Sequence, residues 1–356
     1  MKILASIVAL LSVSAMAAAP STTAAASPTA DLVVAFDTLH AEKAMDANLW
    51  KMIQSDKKKA QQRSREKSPF KTEGRDIAGT VNVSFISFSP FRFIADGLLR
   101  VSGGKETSMR EDAATLSDMA KDSGFEVTKS GGKKTPIYSF DMKAVPDDDG
   151  DETMPVNGAV LSVIDDSQAR FTARWGIGPE EAEAWKNERA AKDGEQPLAE
   201  ALAATPIANS ALAIVGNAER LAEIPLDENE EQKSIKELLV QLKTLSIVFR
   251  VGGGDLRIMA NLIFKEEAMS TARRTEFAQD CEQLRTEMAA HGGSMLRTIT
   301  VGGEGRTMTV DAAVDIRAAW ALISRFENSG RRSRKSKKKS SGKKEHSGNL
   351  RDRATE

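Results

Sequence analysis

Residues 244–264 read TLSIVFRVGGGDLRIMANLIF, and the rest of the chain is organised around the pattern in this stretch. Apolar and polar side chains alternate on both sides of the glycine run, and a period of two is typical of β-strands. The predicted inner faces hold Leu245, Ile247, Phe249, Val251, Leu256, Ile258, Ala260, Leu262 and Phe264, and the outer faces hold Ser246, Val248, Arg250, Arg257, Met259 and Asn261. Gly252, Gly253, Gly254 and Asp255 provide the positive-φ positions of a tight turn. The stretch therefore predicts a β-hairpin.

The period becomes helical after Phe264. Apolar residues recur at i, i+4, i+7 and i+11, which predicts one buried stripe formed by Phe277, Cys281, Leu284 and Met288. Gly292 and Gly293 are expected to end this helix. A second hairpin is predicted to turn at residues 302–305, so residues 244–316 form a hairpin, a helix and a hairpin.

The same pattern occurs about 165 residues earlier in the chain. Val81, Val83, Phe85, Phe91, Phe93 and Ala95 align with Leu245, Ile247, Phe249, Leu256, Ile258 and Ala260, and Met109, Ala113, Leu116 and Ala120 repeat the helical stripe. The offset drifts from 164 to 171, as small loop insertions would produce. We therefore predict an internal duplication, with chance matching of alternating patterns as the alternative.

Each half also begins with an apolar strand, residues 32–36 in the first and 211–215 in the second. The first half carries an additional hairpin around Asp165 and a helix that starts at Pro179. The predicted fold class is α+β, with two similar antiparallel-sheet units that carry helices on their sheets. The units span residues 31–205 and 206–329, and one continuous sheet is the alternative.

The first residues resemble an export signal. Met1 and Lys2 precede an apolar run from Ile3 to Val13, and Ala15-Met16-Ala17 is a cleavage site of small residues. Residues 1–17 are predicted to be a signal peptide and residues 18–30 a flexible linker. We expect a protein exported to the periplasm or the exterior, with no membrane span in the mature chain.

Cys281 is the single cysteine, so the chain cannot form an internal disulfide. Its position on the predicted helical stripe favours a small buried side chain over a reactive thiol. Packing alone is therefore expected to stabilise this protein.

The inventory of catalytic and ligand residues is small. The three histidines, His40, His291 and His346, lack the spacing of zinc ligands, and no Gly-x-Ser-x-Gly motif is present. Residues 147–152 form an acidic loop, but an EF-hand register would place Val145 and Val156 at its end positions. The glycine clusters fit hairpin turns rather than phosphate loops. We predict no catalytic residue, no cofactor and no metal site.

The C-terminal residues 330–356 contain 11 Lys and Arg against 3 Asp and Glu, so the preceding residues carry a net charge of −9 within the total of −1. Such a basic and nearly apolar-free segment is typical of disorder. The candidate polyanion-binding residues are Arg331, Arg332, Arg334, Lys335, Lys337, Lys338, Lys339, Lys343 and Lys344. A tether to an anionic polymer or surface, an intramolecular partner of the acidic body and a solubilising tail are the three interpretations.

Two functional hypotheses follow from the sequence. The first is a non-catalytic binding or scaffold protein of a bacterial-type cell envelope whose basic tail, residues 330–356, meets anionic partners without specific nucleic-acid recognition. The second is a secreted hydrolase that uses carboxylates not identified by any motif. The oligomeric state is not determined by the sequence.

The tail hypothesis predicts binding by charge, because the basic run contains no aromatic residue that could stack on a base or a sugar. If about six of these charges contact phosphates of a single strand, the logarithm of affinity falls with the logarithm of salt with a slope of about −4, from ~0.7 per contact. Titration of an unstructured polyanion at several salt concentrations measures this slope. Truncation at Gly330 is expected to abolish binding and to leave the melting temperature unchanged. Binding that survives truncation would contradict the tether.

Overall fold

The computed structural model describes most of the predicted α+β body. The described residues are 26–37, 51, 76–102, 108–142, 157–191, 196–208, 210–225, 230–290 and 296–318. The predicted signal peptide, the acidic loop, all three histidines and the basic tail lie outside these ranges.

Twelve strands are present in the described residues. They are β1 (Leu32–Asp37), β2 (Asp76–Phe88), β3 (Phe91–Ser102), β4 (Glu126–Gly131), β5 (Pro136–Met142), β6 (Asn157–Val163), β7 (Gln168–Trp175), β8 (Leu212–Asn217), β9 (Leu242–Gly252), β10 (Asp255–Phe264), β11 (Leu296–Gly302) and β12 (Thr307–Asp315). The β9–β10 hairpin turns at Gly253 and Gly254 with φ of 62° and 86°, as the glycine run predicts.

The helices are α1 (Met109–Asp122), α2 (Pro179–Ala191), α3 (Ala199–Ala204), α4 (Ala218–Ala222), α5 (Glu230–Gln241) and α6 (Glu267–Ala290). Ser108 caps the start of helix α1: its hydroxyl accepts a hydrogen bond from the Glu111 backbone N–H, while the Glu111 carboxylate accepts one from the Ser108 N–H. This reciprocal capping satisfies two backbone donors that would otherwise be orphaned at the helix start. For residues 244–316, the structure has β9, β10, α6, β11 and β12 in that order, so the predicted hairpin, helix and hairpin are confirmed.

All twelve strands belong to one antiparallel sheet with the order β11-β12-β10-β9-β8-β1-β2-β3-β7-β6-β5-β4. The α+β class with an antiparallel sheet is confirmed. The two predicted units share a single sheet, which is the alternative that the sequence leaves open. They meet at the antiparallel β1–β8 pair, where Val33 stands opposite Val215.

One face of the sheet carries α1 of the first half with α5 and α6 of the second half, whereas α2 and α3 pack on the opposite face. On the first half, α1 packs through Met109 and Ala113 on a core that includes Phe85, Phe140 and Leu161. On the second half, Leu242, Phe264 and Met308 form a core with apolar residues of α5 and α6. We call this face the helical face.

Of the predicted stripe on α6, Cys281 agrees with the structure and Phe277 does not, and the side chains of Leu284 and Met288 lie outside the described residues. Cys281 is buried, and burial raises the pKa of its thiol, as expected for a small core residue. Phe277, however, is 39% exposed, so it is not part of a continuous buried stripe. The helix runs near the edge of the sheet, where it packs mainly on β11 and β12. A helix at an edge has less sheet beneath it to cover its apolar residues.

The opposite face of the sheet is buried at its centre. Val33, Ala35, Ala213 and Val215 pack there against Leu198 and Ala201 of the α3 region, and Ala26 and Ala30 from the predicted linker join this core. The prediction that Val248 and Ser246 point outward is wrong, because both are buried on this second face. Strands at the centre of a large sheet are covered on both faces, and strict alternation cannot reveal this.

A buried carboxylate ties this second core to helix α2. Asp31 is 2% exposed and pairs with the Arg189 guanidinium at 3.0 Å. It also accepts a hydrogen bond from the Phe85 backbone N–H at 2.8 Å. Arg189 in turn lies over the Trp185 ring, with 5.0 Å between the guanidinium carbon and the ring centroid. Asp31 thus connects the start of β1 with β2 and α2.

We predict that Asp31→Ala destabilises the fold by about 1–3 kcal/mol, because the Phe85 N–H would be left buried without an acceptor. The Arg189 side chain is 27% exposed and can be hydrated in the variant, so the loss of its ion pair adds little to the decrease in the free energy of unfolding. Urea unfolding at neutral pH measures the difference. Glu223→Ala is the control, because Glu223 forms only a surface pair with Arg220 and is expected to cost less than about 1 kcal/mol. Equal effects of both variants would contradict the role of Asp31.

Candidate functional site

The candidate polyanion-binding residues belong to the C-terminal basic run. Arg331, Arg332, Arg334, Lys335, Lys337, Lys338, Lys339, Lys343 and Lys344 all lie outside the described residues. The folded body instead presents a concave surface that the sequence analysis did not single out.

This surface is an open depression of about 630 Å³ on the second half of the sheet. Its lining residues are Arg250, Val251, Gly252, Asp255, Arg257, Thr298, Thr300, Asp311 and Ala313. Strands β9, β10, β12 and β11 provide them in that spatial order, at the end of the sheet beyond the central core. We call it the polar depression.

The strand register brings its charged residues together. Arg250 and Arg257 stand opposite each other on β9 and β10, and Met259 on β10 stands opposite Asp311 on β12. Side chains two residues apart on a strand share a face, so Arg257 and Asp311 become diagonal neighbours. Three strands that are separate in sequence thus contribute to one cluster.

Arg257 forms a bidentate ion pair with Asp311. Its Nε lies 2.8 and 3.1 Å from the two carboxylate oxygens of Asp311, and its terminal nitrogen also donates to this carboxylate. These bonds raise the pKa of the Arg257 guanidinium above its ordinary value. Such fork-like contacts fix the orientation of both side chains.

A second arginine cluster borders the polar depression. Arg297 lies 2.8 Å from a carboxylate oxygen of Asp255 and 2.8 Å from one of Asp315. The Ala318 backbone N–H and Arg297 together hold the pKa of the Asp315 carboxyl below its usual value. The carboxylates of Asp255, Asp311 and Asp315 are therefore all engaged by arginine.

Arg250 differs from both of these arginines. Its terminal nitrogen donates only to the backbone carbonyl of Pro206, at 3.3 Å, and its Nε is buried without a hydrogen-bond partner. Within the described ranges it pairs with no carboxylate. Buried arginine donors are usually satisfied, so Arg250 has donor capacity that a bound group could use.

The chemistry of the polar depression suits binding better than catalysis. General acid–base work needs a carboxyl or imidazole that can exchange a proton with a substrate. Here Asp311 and Asp255 pair with Arg257 and Arg297, while Arg250 and Thr298 provide donors and the Thr300 hydroxyl donates to the Asp311 backbone carbonyl. One Asp255 oxygen is buried without a hydrogen bond and lies 2.8 Å from the Arg297 Nε, so the arrangement suits the orientation of an oxygen-bearing group more than proton transfer to a base.

Sequence reasoning missed this site because it placed Arg250 and Arg257 on the outer face of the hairpin and assigned them no binding role. The glycine turn does fix the hairpin register, and that register puts the two arginines opposite each other. Their acidic partner Asp311 is more than 50 residues away from Arg257, and no local pattern connects it to β10.

Two other kinds of site are absent from the described part of the chain. It contains no group of three or more His, Cys, Asp or Glu residues placed to hold a metal ion. None of its helices combines the length and the apolar character needed to cross a membrane.

Comparison with known proteins gives a distant structural resemblance. The sequence matches no protein-family model and no curated protein. Crystal form III of TP0453 shares 11% sequence identity at a TM-score of 0.38, covering 86% of this chain and 98% of that chain. Crystal form I of TP0453 shares 11% identity at a TM-score of 0.37, covering 86% and 97%.

Proposed function

We propose that this chain is an exported, non-catalytic binding protein that takes a ligand in the polar depression and uses its basic tail to stay near an anionic polymer or surface. The observation that carries the proposal is Arg250, a cation with a buried Nε that has no partner at the floor of an open surface. The predicted export signal in residues 1–17 and the basic run in residues 330–356 support the proposal from the sequence.

The ligand class follows from the donors. A guanidinium recognises planar oxygen acceptors best, and carboxylate and phosphate groups can accept two of its N–H bonds at once. The exposed hydroxyl of Thr298 provides a further donor on β11. We therefore propose that the bound group is a carboxylate or a phosphate carried by a larger ligand.

The remaining charges favour selectivity over general attraction. Arg257 and Arg297 are already neutralised by acids, so Arg250 is the cation left to the ligand within the described lining. The nearby carboxylates of Asp255 and Asp311 would repel an anionic group that lies away from Arg250 and close to them. A ligand must therefore place its anionic group close to Arg250.

The hydrolase hypothesis receives less support from the same geometry. A carboxylate pair for hydrolysis requires two acids with different environments that face a common space. In the polar depression Asp311 is held by Arg257 and Asp255 by Arg297. We propose that these acids position arginines rather than act on a substrate.

We further propose that the two halves arose by internal duplication. The register supports this proposal: Val83 pairs with Ala95 and Phe85 with Phe93 in the first hairpin. Their aligned residues pair in the same way in the second hairpin, where Ile247 stands opposite Ala260 and Phe249 opposite Ile258. The spatial orders β1-β2-β3 and β8-β9-β10 correspond, and the first half then has β7 and β6 inserted before β5.

The ligand proposal is tested by NMR, with inorganic phosphate and acetate as the probes. We predict a saturable shift of the Arg250 Nε–H resonance and of the Thr298 and Thr300 backbone amides in the full chain. Arg250→Ala is expected to abolish the shift at both threonines, because a charge-assisted bond of about 1.5–3 kcal/mol is lost.

The matched control is Arg170→Ala, which removes an exposed arginine from β7 in the other half. This variant is expected to bind the probes as the unaltered chain does. Because each NMR resonance belongs to one residue, anion binding at the polar depression can be distinguished from the proposed anion binding at the tail. A linear, non-saturable drift at Arg250, or retained threonine shifts in Arg250→Ala, would contradict the proposal.

A further inference from the structure

Strand β11 forms one edge of the sheet. It pairs with β12 on one side, from Leu296 to Gly302, and no other described strand lies on its far side. The outer backbone N–H and C=O groups of an edge strand are a template for another strand. This edge is therefore available for pairing in the part of the chain that the structure describes.

The two edges of the sheet differ in how they are protected. The opposite edge, β4, carries Glu126 and Lys129 within its six residues, and charges on an edge discourage pairing with another chain. Strand β11 reads LRTITVG, with Arg297 as its one charged residue. Arg297 is already bound to Asp255 and Asp315, so its charge would not oppose an approaching strand.

Strand β11 is also held in place by packing on its helical face. Helix α6 packs on β11, and Val301 contacts the core around Met308. A strand that is already ordered loses little conformational entropy when it pairs. The same helix exposes the large apolar side chain of Phe277, which an adjacent helix on the same face could cover.

The chain itself shows the geometry that such a pair would adopt. Strands β1 and β8 pair antiparallel with Val33 opposite Val215, and the helical face continues across this junction. Two copies of β11 that pair antiparallel would likewise keep their helical faces on one side. A contact of this kind is self-complementary and closes after two copies.

We infer that β11 is a dimerisation edge and that its partner is β11 of a second copy of this chain. The paired sheets would bring the two α6 helices side by side on the helical face. On the other face, Thr298 and Thr300 of both copies would line the junction. The two polar depressions would thereby join into one trough that spans the dimer.

Sedimentation velocity of the full chain over a range of protein concentrations tests this inference. The unaltered chain is expected to dimerise reversibly. Thr300→Lys places a charge on an exposed position of the edge and is expected to weaken the dimer at least tenfold while the melting temperature of the monomer is retained. Thr298→Lys is the second variant, in case the first fails to fold.

The matched control is Thr128→Lys on the exposed edge strand β4, which is expected to leave the dimer intact. A chain that stays monomeric at all concentrations would overturn the inference, as would a dimer that survives both β11 variants. Loss of the dimer in Thr128→Lys would overturn it as well, because β4 would then take part in the contact. In the probe titration, the Arg250 Nε–H resonance reports on the polar depression of one chain and distinguishes its failure from that of the dimer, whereas the Thr298 and Thr300 amides lie on the proposed dimer edge.

Discussion

The antiparallel pairing of β1 with β8 holds the two halves of this protein in one sheet. Val33 and Val215 are fully buried at its centre, and backbone hydrogen bonds close both ends, from the Asp37 N–H to Ala211 and from the Asn217 N–H to Asp31. Because this pair joins the two halves, seven strands on one side and five on the other become one sheet. The central strands must then be covered on both faces, and α3 with residues 26–30 covers the second one.

Much of the local structure could be predicted from the sequence. The glycine run at residues 252–254 determines a turn, and the alternation around it determines two strands and their register. The helix start at Pro179 and the hairpin around Asp165 follow from equally local chemistry. In each of these cases the residues that decide the structure are neighbours in the chain.

The parts that could not be predicted depend on residues far apart in sequence. Val248 and Ser246 look like outward positions, yet they are buried because α3 lies over the centre of the sheet. Phe277 fits a helical stripe, yet it is exposed because α6 lies at the edge. The polar depression needs Arg250 and Arg257 from one hairpin and Asp311 from another, and only the order of strands in the sheet brings them together.

Hydrogen exchange at increasing denaturant concentrations tests the central role of the β1–β8 pair most directly. If this pair unites the halves, the amides of β1 and β8 exchange only through global unfolding, and β2, β3, β9 and β10 lose protection in the same transition. Peptides that cover these six strands provide the readout. Loss of protection in β8–β10 at a lower denaturant concentration than in β1–β3 would contradict the account, because the halves would then unfold as independent units.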